Sequence, residues 1–263
     1  MVEFHQIAAA LYLAAGIGAL LGVVVGSQRM ERGAALGLGL GALMQGLGFS
    51  TLHLLAHAPP VTDLPMAVSF MAWIGVLTLL VLMWRLRIPA LTAVAGPIGF
   101  LAVFVGAMHI IRSPANTTGV SGSLPHIHVL LASAGLGLLG VAGIAGVFFL
   151  VEHSRLKSKR RLVSKTVLPS LEALDRVNVI SLAVGFPLLT LGLMTGMLWL
   201  QSTRGTLWFG TSHEVWTVVA WGIYAGLASA RFFGHQGARL AAASAVAGFF
   251  FLLFAVLGIG VLA

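Results

Sequence analysis

The sequence contains no cysteine among its 263 residues. A chain without thiols forms no disulfide, offers no thiolate ligand to a metal and performs no thiol exchange. A thiol-based redox carrier and a cysteine-ligated metal site are therefore excluded.

Charged side chains are also scarce. Only 8% of the residues are charged, 59% are hydrophobic, and the mean hydropathy is +1.01. Soluble domains usually have roughly 25% charged residues. The composition therefore excludes an ordinary soluble domain and indicates an integral membrane protein.

The motifs of common soluble enzymes are missing as well. The sequence has no Ser-His-Asp signature and no phosphate loop of the form GxxxxGK[ST]. Its seven acidic residues lie at the ends of apolar runs or between them, at Glu3, Glu31, Asp63, Glu152, Glu172, Asp175 and Glu214. No paired carboxylates are thus expected inside the membrane to couple transport to protons. We expect no catalytic side chain.

Long apolar runs are what the sequence has in abundance. A helix needs about 20 apolar residues to cross the hydrocarbon core. Eight runs of this kind predict an all-α bundle with spans at residues 4–26, 34–56, 65–84, 88–108, 128–151, 179–200, 215–234 and 240–262. They predict one transmembrane domain over residues 1–263, with a basic loop at 152–178. The 33 glycines suit this reading because small residues let membrane helices approach closely.

The basic residues predict the orientation of the bundle. Thirteen of the 15 Lys and Arg residues fall in one set of connections, and only Arg112 and Arg204 fall in the other. By the positive-inside rule the basic connections are cytoplasmic and both termini lie outside, in a bacterial-type inner membrane. The net charge of +8 then belongs to a cytoplasmic rim of basic residues, which is expected to contact anionic lipid. No nucleic-acid partner is expected.

Histidine has the opposite distribution. Seven of the nine histidines fall at or near the predicted outer ends of helices, at His5, His53, His57, His109, His126, His128 and His213. A single histidine there is usually an interfacial residue, but such a set favours a metal or metallocofactor site. His53 and His57 are four residues apart and share one helix face. His126 and His128 are two apart, so at most one of them is expected to face a given ligand.

The outer connection at residues 204–216 reads RGTLWFGTSHEVW. A plain linker needs only small and polar residues, whereas this one combines two tryptophans with a cation, an imidazole and a carboxylate. Flat aromatic surface beside charged groups suits a flat, charged ligand. The alternative is that the tryptophans belong to an interfacial aromatic belt and Arg204 to an interface anchor.

Four segments resemble the cytochrome c assembly family of membrane proteins, the group that includes CcsA, CcmC and HemX-type proteins. They are LHLLAHAPPVTDLPMAVSFMAW (52–73), IHVLLASAGLGLLGVAGIAGVFFL (127–150), LDRVNVISLAVGFPLLTLGLMTGMLW (174–199) and RGTLWFGTSHEVWTVVAWGIYAGLASAR (204–231). The third, with its LD start and GFPLLTLG run, is the most specific. Together they cover most of the chain.

The resemblance implies haem handling at the outer face. In such proteins a tryptophan-rich outer loop, the WWD motif, forms a platform for haem, and histidines at nearby helix ends ligate the iron. The matching positions make His128 and His53 the candidate ligands of a non-covalent, b-type haem. Further candidate contacts come from the outer loop and its flanking helices, at Trp199, Arg204, Trp208, His213, Glu214 and Trp216. Arg204 or Arg112 is expected to pair with a haem propionate, since guanidinium binds carboxylate in a bidentate manner.

The outer loop keeps only part of the family pattern W-G-x-x-W-x-W-D-P-x-E-x-W. Gly205, Trp208, Glu214 and Trp216 match it, whereas Arg204, Gly210, Thr211 and Ser212 replace a Trp, a Trp, the Asp and the Pro. A haem lyase is expected to need the complete platform. The resemblance therefore favours a HemX-like accessory protein over the lyase itself, with haem and other cytochrome c assembly proteins as partners.

Two other functions remain open. One is a membrane anchor or regulator without haem, in which the basic stretch HSRLKSKRRLVSKTVLPSLEALDR (153–176) docks an enzyme of haem biosynthesis. The other is a small-molecule transporter, which the glycine-rich helices favour and the absence of intramembrane acids disfavours.

Reporter fusions test the predicted topology. An enzyme that is active only in the cytoplasm is expected to work when fused after Arg161 and to be silent when fused after Ala263, because eight spans return the chain to the outside. Activity of the fusion after Ala263 would contradict the count of eight spans.

Overall fold

A computed structural model describes residues 2–56, 64–86, 88–112, 123–157, 169–208 and 210–262. These residues form one short 3-10 helix at Pro89–Leu91 and eight α-helices. The α-helices are α1 (Val2–Val25), α2 (Gln28–Ala56), α3 (Leu64–Leu86), α4 (Thr92–Arg112), α5 (Ser123–Lys157), α6 (Leu171–Arg204), α7 (Ser212–Phe232) and α8 (Ala238–Leu262). No strand occurs within the described ranges, so the all-α prediction is confirmed.

Six of the described helices, α1 to α6, are long and apolar enough to cross a membrane. In α8 the apolar stretch Ala238–Leu252 is shorter. These helices confirm a multi-pass helical membrane protein. The count of eight spans and the outward position of both termini stay predictions.

The helices α5 and α6 extend well beyond the predicted spans of 128–151 and 179–200. Both ends of the predicted basic loop 152–178 are consequently helical, while its residues 158–168 lie outside the described residues. A helix need not end where its apolar run ends, because Glu, Lys, Arg and Leu all have high helix propensity. Hydropathy therefore located these two helices but not their ends.

The chain forms two compact units. Unit 1 comprises Met1–Val120 and Glu152–Ala173, and it contains α1 to α4. Unit 2 comprises Ser121–Val151 and Leu174–Ala263, and it contains most of α5 and α6 with all of α7 and α8. The prediction of a single transmembrane domain over 1–263 stays a prediction.

In unit 1, α1 and α4 approach closely because two glycines meet. A Cβ atom at Gly96 would lie 2.7 Å from the N and Cα atoms of Gly16 and 2.7 Å from the carbonyl oxygen of Tyr12. A Cβ atom at Gly16 would lie 2.5 Å from Cδ of Pro97. Such distances are shorter than van der Waals contact, so this crossing needs glycine at both positions.

Buried hydrogen bonds connect three helices of the same unit. The Tyr12 hydroxyl donates to Oε1 of Gln45 at 2.8 Å. Nε2 of Gln45 donates to the carbonyl oxygen of Ser69 at 2.9 Å and to its Oγ at 3.0 Å. All three side chains are fully buried. These bonds satisfy polar groups that would otherwise be costly within an apolar protein interior.

An aromatic cluster lies towards the α1 N-terminus of unit 1. The Phe49 ring meets the rings of His5 and Phe70 edge to face, with centroids 5.2 and 5.3 Å apart. His5 is fully buried, and a Cβ atom at Gly48 would lie 2.5 Å from its ring. The indole nitrogen of Trp73 donates to the carbonyl oxygen of Ala42 at 2.8 Å. His5, one of the seven predicted outer histidines, therefore contributes to helix packing.

In unit 2, glycines bring α5 and α6 together. A Cβ atom at Gly135 would lie 2.6 Å from the backbone nitrogen of Leu189, and one at Gly192 would lie 2.8 Å from that of Ala132. A buried cluster contains side chains from all four helices of the unit, Leu139, Leu182, Leu189, Tyr224, Ala228 and Leu252. The backbones of α5 and α6 thus approach closely at residues 132–135 and 189–192.

The variant Gly96→Ala tests the glycine crossing of unit 1. Its new methyl group has no room against Gly16, so the free energy of unfolding is expected to fall by about 1–3 kcal/mol. Gly39→Ala in α2 is the matched control, because a Cβ atom there meets nothing within 4 Å. Thermal unfolding in detergent should show a lower Tm for Gly96→Ala only. Equal Tm values for the two variants would contradict this account of the crossing.

Candidate functional site

His128 lies in the second turn of α5 and is half-buried. Its Nδ1 atom is 2.8 Å from the carbonyl oxygen of Gly192 in α6. A carbonyl oxygen only accepts, so Nδ1 carries the proton in this hydrogen bond. In the neutral ring the lone pair is then on Nε2. The contact thus sets both the tautomer and the orientation of the imidazole.

The face of α6 that meets His128 has room for the ring because it carries glycine. A Cβ atom at Gly196 would lie 2.8 Å from Cε1 and Nδ1 of His128. One turn further, the indole of Trp199 lies 6.2 Å from the imidazole, centroid to centroid, with 35° between the planes. The Thr195 hydroxyl donates to the same Gly192 carbonyl oxygen at 2.9 Å. Residues 192, 196 and 199 lie on one helix face and contact the imidazole from that side.

Beyond Trp199 the chain continues into the connection between α6 and α7, which the sequence predicts to be outer. Arg204 ends α6 and is exposed. Gly205 and Gly210 have φ values of 74° and 75°, in the left-handed region that favours glycine. Between them Trp208 is 42% exposed. The connection therefore presents an arginine and a large part of one indole ring on its surface.

Glu214 caps the N-terminus of α7. Its Oε2 accepts a hydrogen bond from the backbone nitrogen of Gly210 at 2.9 Å. The backbone nitrogen of Glu214 donates to Oγ1 of the N-cap residue Thr211 at 3.4 Å. This arrangement resembles a capping box, in which Thr and Glu three residues apart satisfy the free N–H groups of a helix start. Glu214 thus has a structural role in the described contacts.

Trp216 packs against α8. Its ring lies 5.9 Å from that of Phe251 and 5.8 Å from that of Phe254, centroid to centroid. These contacts help to fix α7 on α8. Trp208 and Trp216, which the family pattern groups into one platform, therefore have different surroundings. Trp208 is 42% exposed, and Trp216 packs in a helix interface.

Two histidines predicted as haem contacts have backbones in the described helices and side chains outside the described residues. His53 lies in the last turns of α2, in unit 1, and His213 lies in the first turn of α7, in unit 2. Their roles as iron ligands stay predictions. Unit 2 itself brings together His128 and Trp199, with Arg204 at the end of the same α6 helix.

Sequence reasoning missed Gly192, Thr195 and Gly196. The signal was present in the segment GLMTG, where two glycines four residues apart precede Trp199 on one helix face. Among the described residues, no group of three or more His, Asp or Glu side chains could hold a metal ion. A haem differs from a bare ion, since the porphyrin supplies four nitrogens and the protein supplies only axial ligands.

Comparison with known proteins places the chain among membrane assembly proteins. A family model described as "Cytochrome C assembly protein" matches residues 61–263, a range that contains every predicted site residue except His53. The "Cytochrome c biogenesis protein CcsA" of Prochlorococcus marinus strain NATL2A is 26% identical over 236 residues, covering 77% of this chain and 74% of the relative.

Two further relatives carry the same name. The protein of P. marinus strain MIT 9313 is 25% identical over 232 residues, covering 77% of this chain and 73% of the relative. That of strain MIT 9515 is 41% identical over 92 residues, which is 35% of this chain and 29% of the relative. The family match extends over most of the chain, which therefore belongs to the cytochrome c assembly protein family.

Proposed function

We propose that this protein binds haem through His128 at the outer end of unit 2 and acts in cytochrome c assembly. The observation that carries the proposal is the 2.8 Å contact between Nδ1 of His128 and the carbonyl oxygen of Gly192. Histidine ligands of metals commonly donate their second ring nitrogen in this way, which fixes the ring and raises the basicity of the ligating nitrogen. Nε2 is then the iron-binding atom.

The surroundings of His128 suit a porphyrin. Trp199 offers flat apolar surface beside the imidazole, and Trp208 offers an exposed indole in the adjoining connection. Arg204 provides an exposed guanidinium, which suits a propionate carboxylate. Haem, when bound, would supply the iron that Nε2 of His128 would ligate. Because the chain has no cysteine, this haem is held without thioether bonds, as a b-type group.

The remaining ligand positions belong to the same proposal. His53, in unit 1, stays a candidate iron ligand from the family resemblance, and His213 is the alternative candidate near the connection between α6 and α7. Trp216 and Glu214 support the site indirectly in this proposal, since they fix the start of α7 through α8 packing and helix capping. These contacts thereby fix one end of the connection that contains Trp208.

The proposed role is that of a HemX-like haem-handling accessory in a bacterial-type inner membrane, with both termini outside. Several relatives are named cytochrome c biogenesis proteins, which supports action in that process. The departures of the outer loop from the family pattern, at Arg204, Gly210, Thr211 and Ser212, support an accessory over a complete lyase. Its partners are haem, other cytochrome c assembly proteins and the lipid bilayer.

Absorption spectra of His128→Ala test the proposed ligand. Purified wild-type protein mixed with haemin and washed should show a Soret band. In His128→Ala the band should weaken or shift from low-spin to high-spin form, because alanine has no lone pair for iron. His126→Ala is the matched control, since two residues of a helix separate side chains by about 200° around the axis.

Three results would contradict this assignment. The absence of a Soret band above that of a helix-rich membrane control would exclude haem binding. Equal losses in His128→Ala and His126→Ala would indicate general damage to the start of α5. An unchanged spectrum in both variants would assign the ligand to His53, His109 or His213.

The variant Gly196→Ala tests the positioning of the imidazole. The added methyl group would lie 2.8 Å from the His128 ring and should displace it from the Gly192 carbonyl. Loss of such a supporting contact typically weakens metal binding by about 10–100-fold. Gly222→Ala in α7 is the control, because a Cβ atom there meets nothing within 4 Å. Haem titration should show weaker binding for Gly196→Ala alone, and equal affinities would contradict the positioning role.

A further inference from the structure

The carbonyl oxygen of Gly192 is shared by several hydrogen-bond donors. Nδ1 of His128 in α5 lies 2.8 Å from it, and Oγ1 of Thr195 in α6 lies 2.9 Å from it. Residues 192–196 are α-helical, so the backbone N–H of Gly196 is also directed at this oxygen. A carbonyl oxygen has only two lone pairs. The bond from His128 is therefore made in competition with donors of α6 itself.

The Thr195 hydroxyl divides its proton between two carbonyl groups. Its Oγ1 atom is 2.9 Å from the carbonyl oxygen of Leu191 as well as 2.9 Å from that of Gly192. A hydroxyl has one proton to donate, and threonine commonly directs it at the carbonyls of the preceding helical turn. The hydroxyl thus takes part of the acceptor capacity of Gly192 and leaves the rest to His128.

The environment of the Gly192 carbonyl makes this competition effective. Gly192 is buried where α6 meets α5, since a Cβ atom there would lie 2.8 Å from the backbone nitrogen of Ala132. Thr195 is half-buried beside it. Hydrogen bonds are electrostatically stronger away from water, and neighbouring bonds polarise one another more. A change at one donor is therefore transmitted to the others through the shared oxygen.

We propose that Thr195 is a positioning residue that weakens the hydrogen bond from His128 to Gly192. The proposal rests on the proposed role of His128 as an iron ligand. Donation from the second ring nitrogen raises the basicity of the ligating nitrogen, and a stronger Nδ1–H···O bond raises it more. The Thr195 hydroxyl withdraws electron density from the accepting oxygen, so it lowers the basicity of Nε2.

The consequence for the iron follows from the strength of the ligand. A less basic imidazole stabilises ferric iron less than ferrous iron, and hydrogen bonding around a haem ligand is one of the means by which proteins adjust the reduction potential. Thr195 would therefore raise the reduction potential of bound haem. In this way a side chain that does not touch the iron would adjust the site through His128.

Nuclear magnetic resonance of the haem-free protein tests the first step. With isotope-labelled histidine, the Nδ1–H proton resonance of His128 is identified by its loss in His128→Ala. Thr195→Val removes the hydroxyl but keeps the branched shape, so the resonance should move downfield as the bond from His128 strengthens. Thr195→Ala should give a shift in the same direction, and Thr195→Ser, which keeps a hydroxyl, should restore the wild-type position.

Thr203→Val is the matched control in the same helix. Oγ1 of Thr203 also donates to two preceding carbonyl oxygens, those of Trp199 at 2.9 Å and Leu200 at 3.3 Å. Neither of these carbonyls accepts from His128 in the described contacts. The His128 resonance should therefore stay in place in this variant.

Redox titration of protein loaded with haemin, followed by optical absorbance, tests the second step. The midpoint potential should be more negative in Thr195→Val than in the wild type, and unchanged in Thr195→Ser and Thr203→Val. A merely structural role of Thr195 would not shift the potential in this direction with rescue by serine. A shift to a more positive potential, or none, would overturn the effect on the iron.

The two measurements separate this proposal from the proposed haem binding. An unmoved or upfield resonance in Thr195→Val would overturn the role of Thr195, whether or not the protein binds haem. An equal shift in Thr203→Val would overturn it as well. A wild type without a Soret band would refute haem binding and the effect on the potential, and the resonance alone would then decide whether Thr195 weakens the His128 bond.

Discussion

The close approach of α5 and α6 is the constraint on which the candidate site depends. Without glycine at 135 and 192, the two backbones could not come as near as they do. That distance lets Nδ1 of His128 reach the Gly192 carbonyl oxygen, although the same carbonyl is a backbone acceptor within α6. The glycine face of α6 also leaves room for the imidazole at Gly196. Close packing at these glycines thus determines where the candidate ligand His128 lies.

In both units, glycines allow two helices to approach closely, but the side chains beside the two crossings differ. In unit 1, the meeting of Gly16 and Gly96 brings α1 against α4, beside the buried bonds of Tyr12 and Gln45. In unit 2, the α5–α6 crossing places His128 beside the carbonyl oxygen of Gly192 and the indole of Trp199. Small residues permit the approach, and hydrogen bonds then select one arrangement. Both crossings bring helices together, and the second also orients the imidazole of His128, the proposed ligand.

The class of fold followed from composition because the bilayer imposes it. A chain with 59% hydrophobic residues and 8% charged residues has few alternatives to membrane helices. The positions of α1 to α4 followed from apolar runs for the same reason. The ends of α5 and α6 did not follow from apolar runs. Residues with good helix propensity, such as Arg155, Lys157 and Glu172, continue these helices beyond the apolar runs.

The site was only partly accessible from the sequence. His128 was identified through a resemblance in the segment that begins IHVLL, and its contact with Gly192, 64 residues away, depends on helix packing that no local pattern encodes. Glu214 and Trp216 matched the family pattern, yet their described contacts are a helix cap and packing on α8. Likewise, the LD start of the third segment marked Asp175, but its partner Arg231 became apparent only from the structure.

Electron paramagnetic resonance of the ferric, haem-loaded protein decides whether Nε2 of His128 binds haem iron. A low-spin signal is expected in the wild type and should convert to a high-spin signal in His128→Gly, because glycine has no lone pair for iron. Added imidazole should restore the low-spin signal by entering the space that the side chain leaves. A low-spin signal that persists in His128→Gly without imidazole would show that another residue ligates the iron and would contradict the proposed ligand.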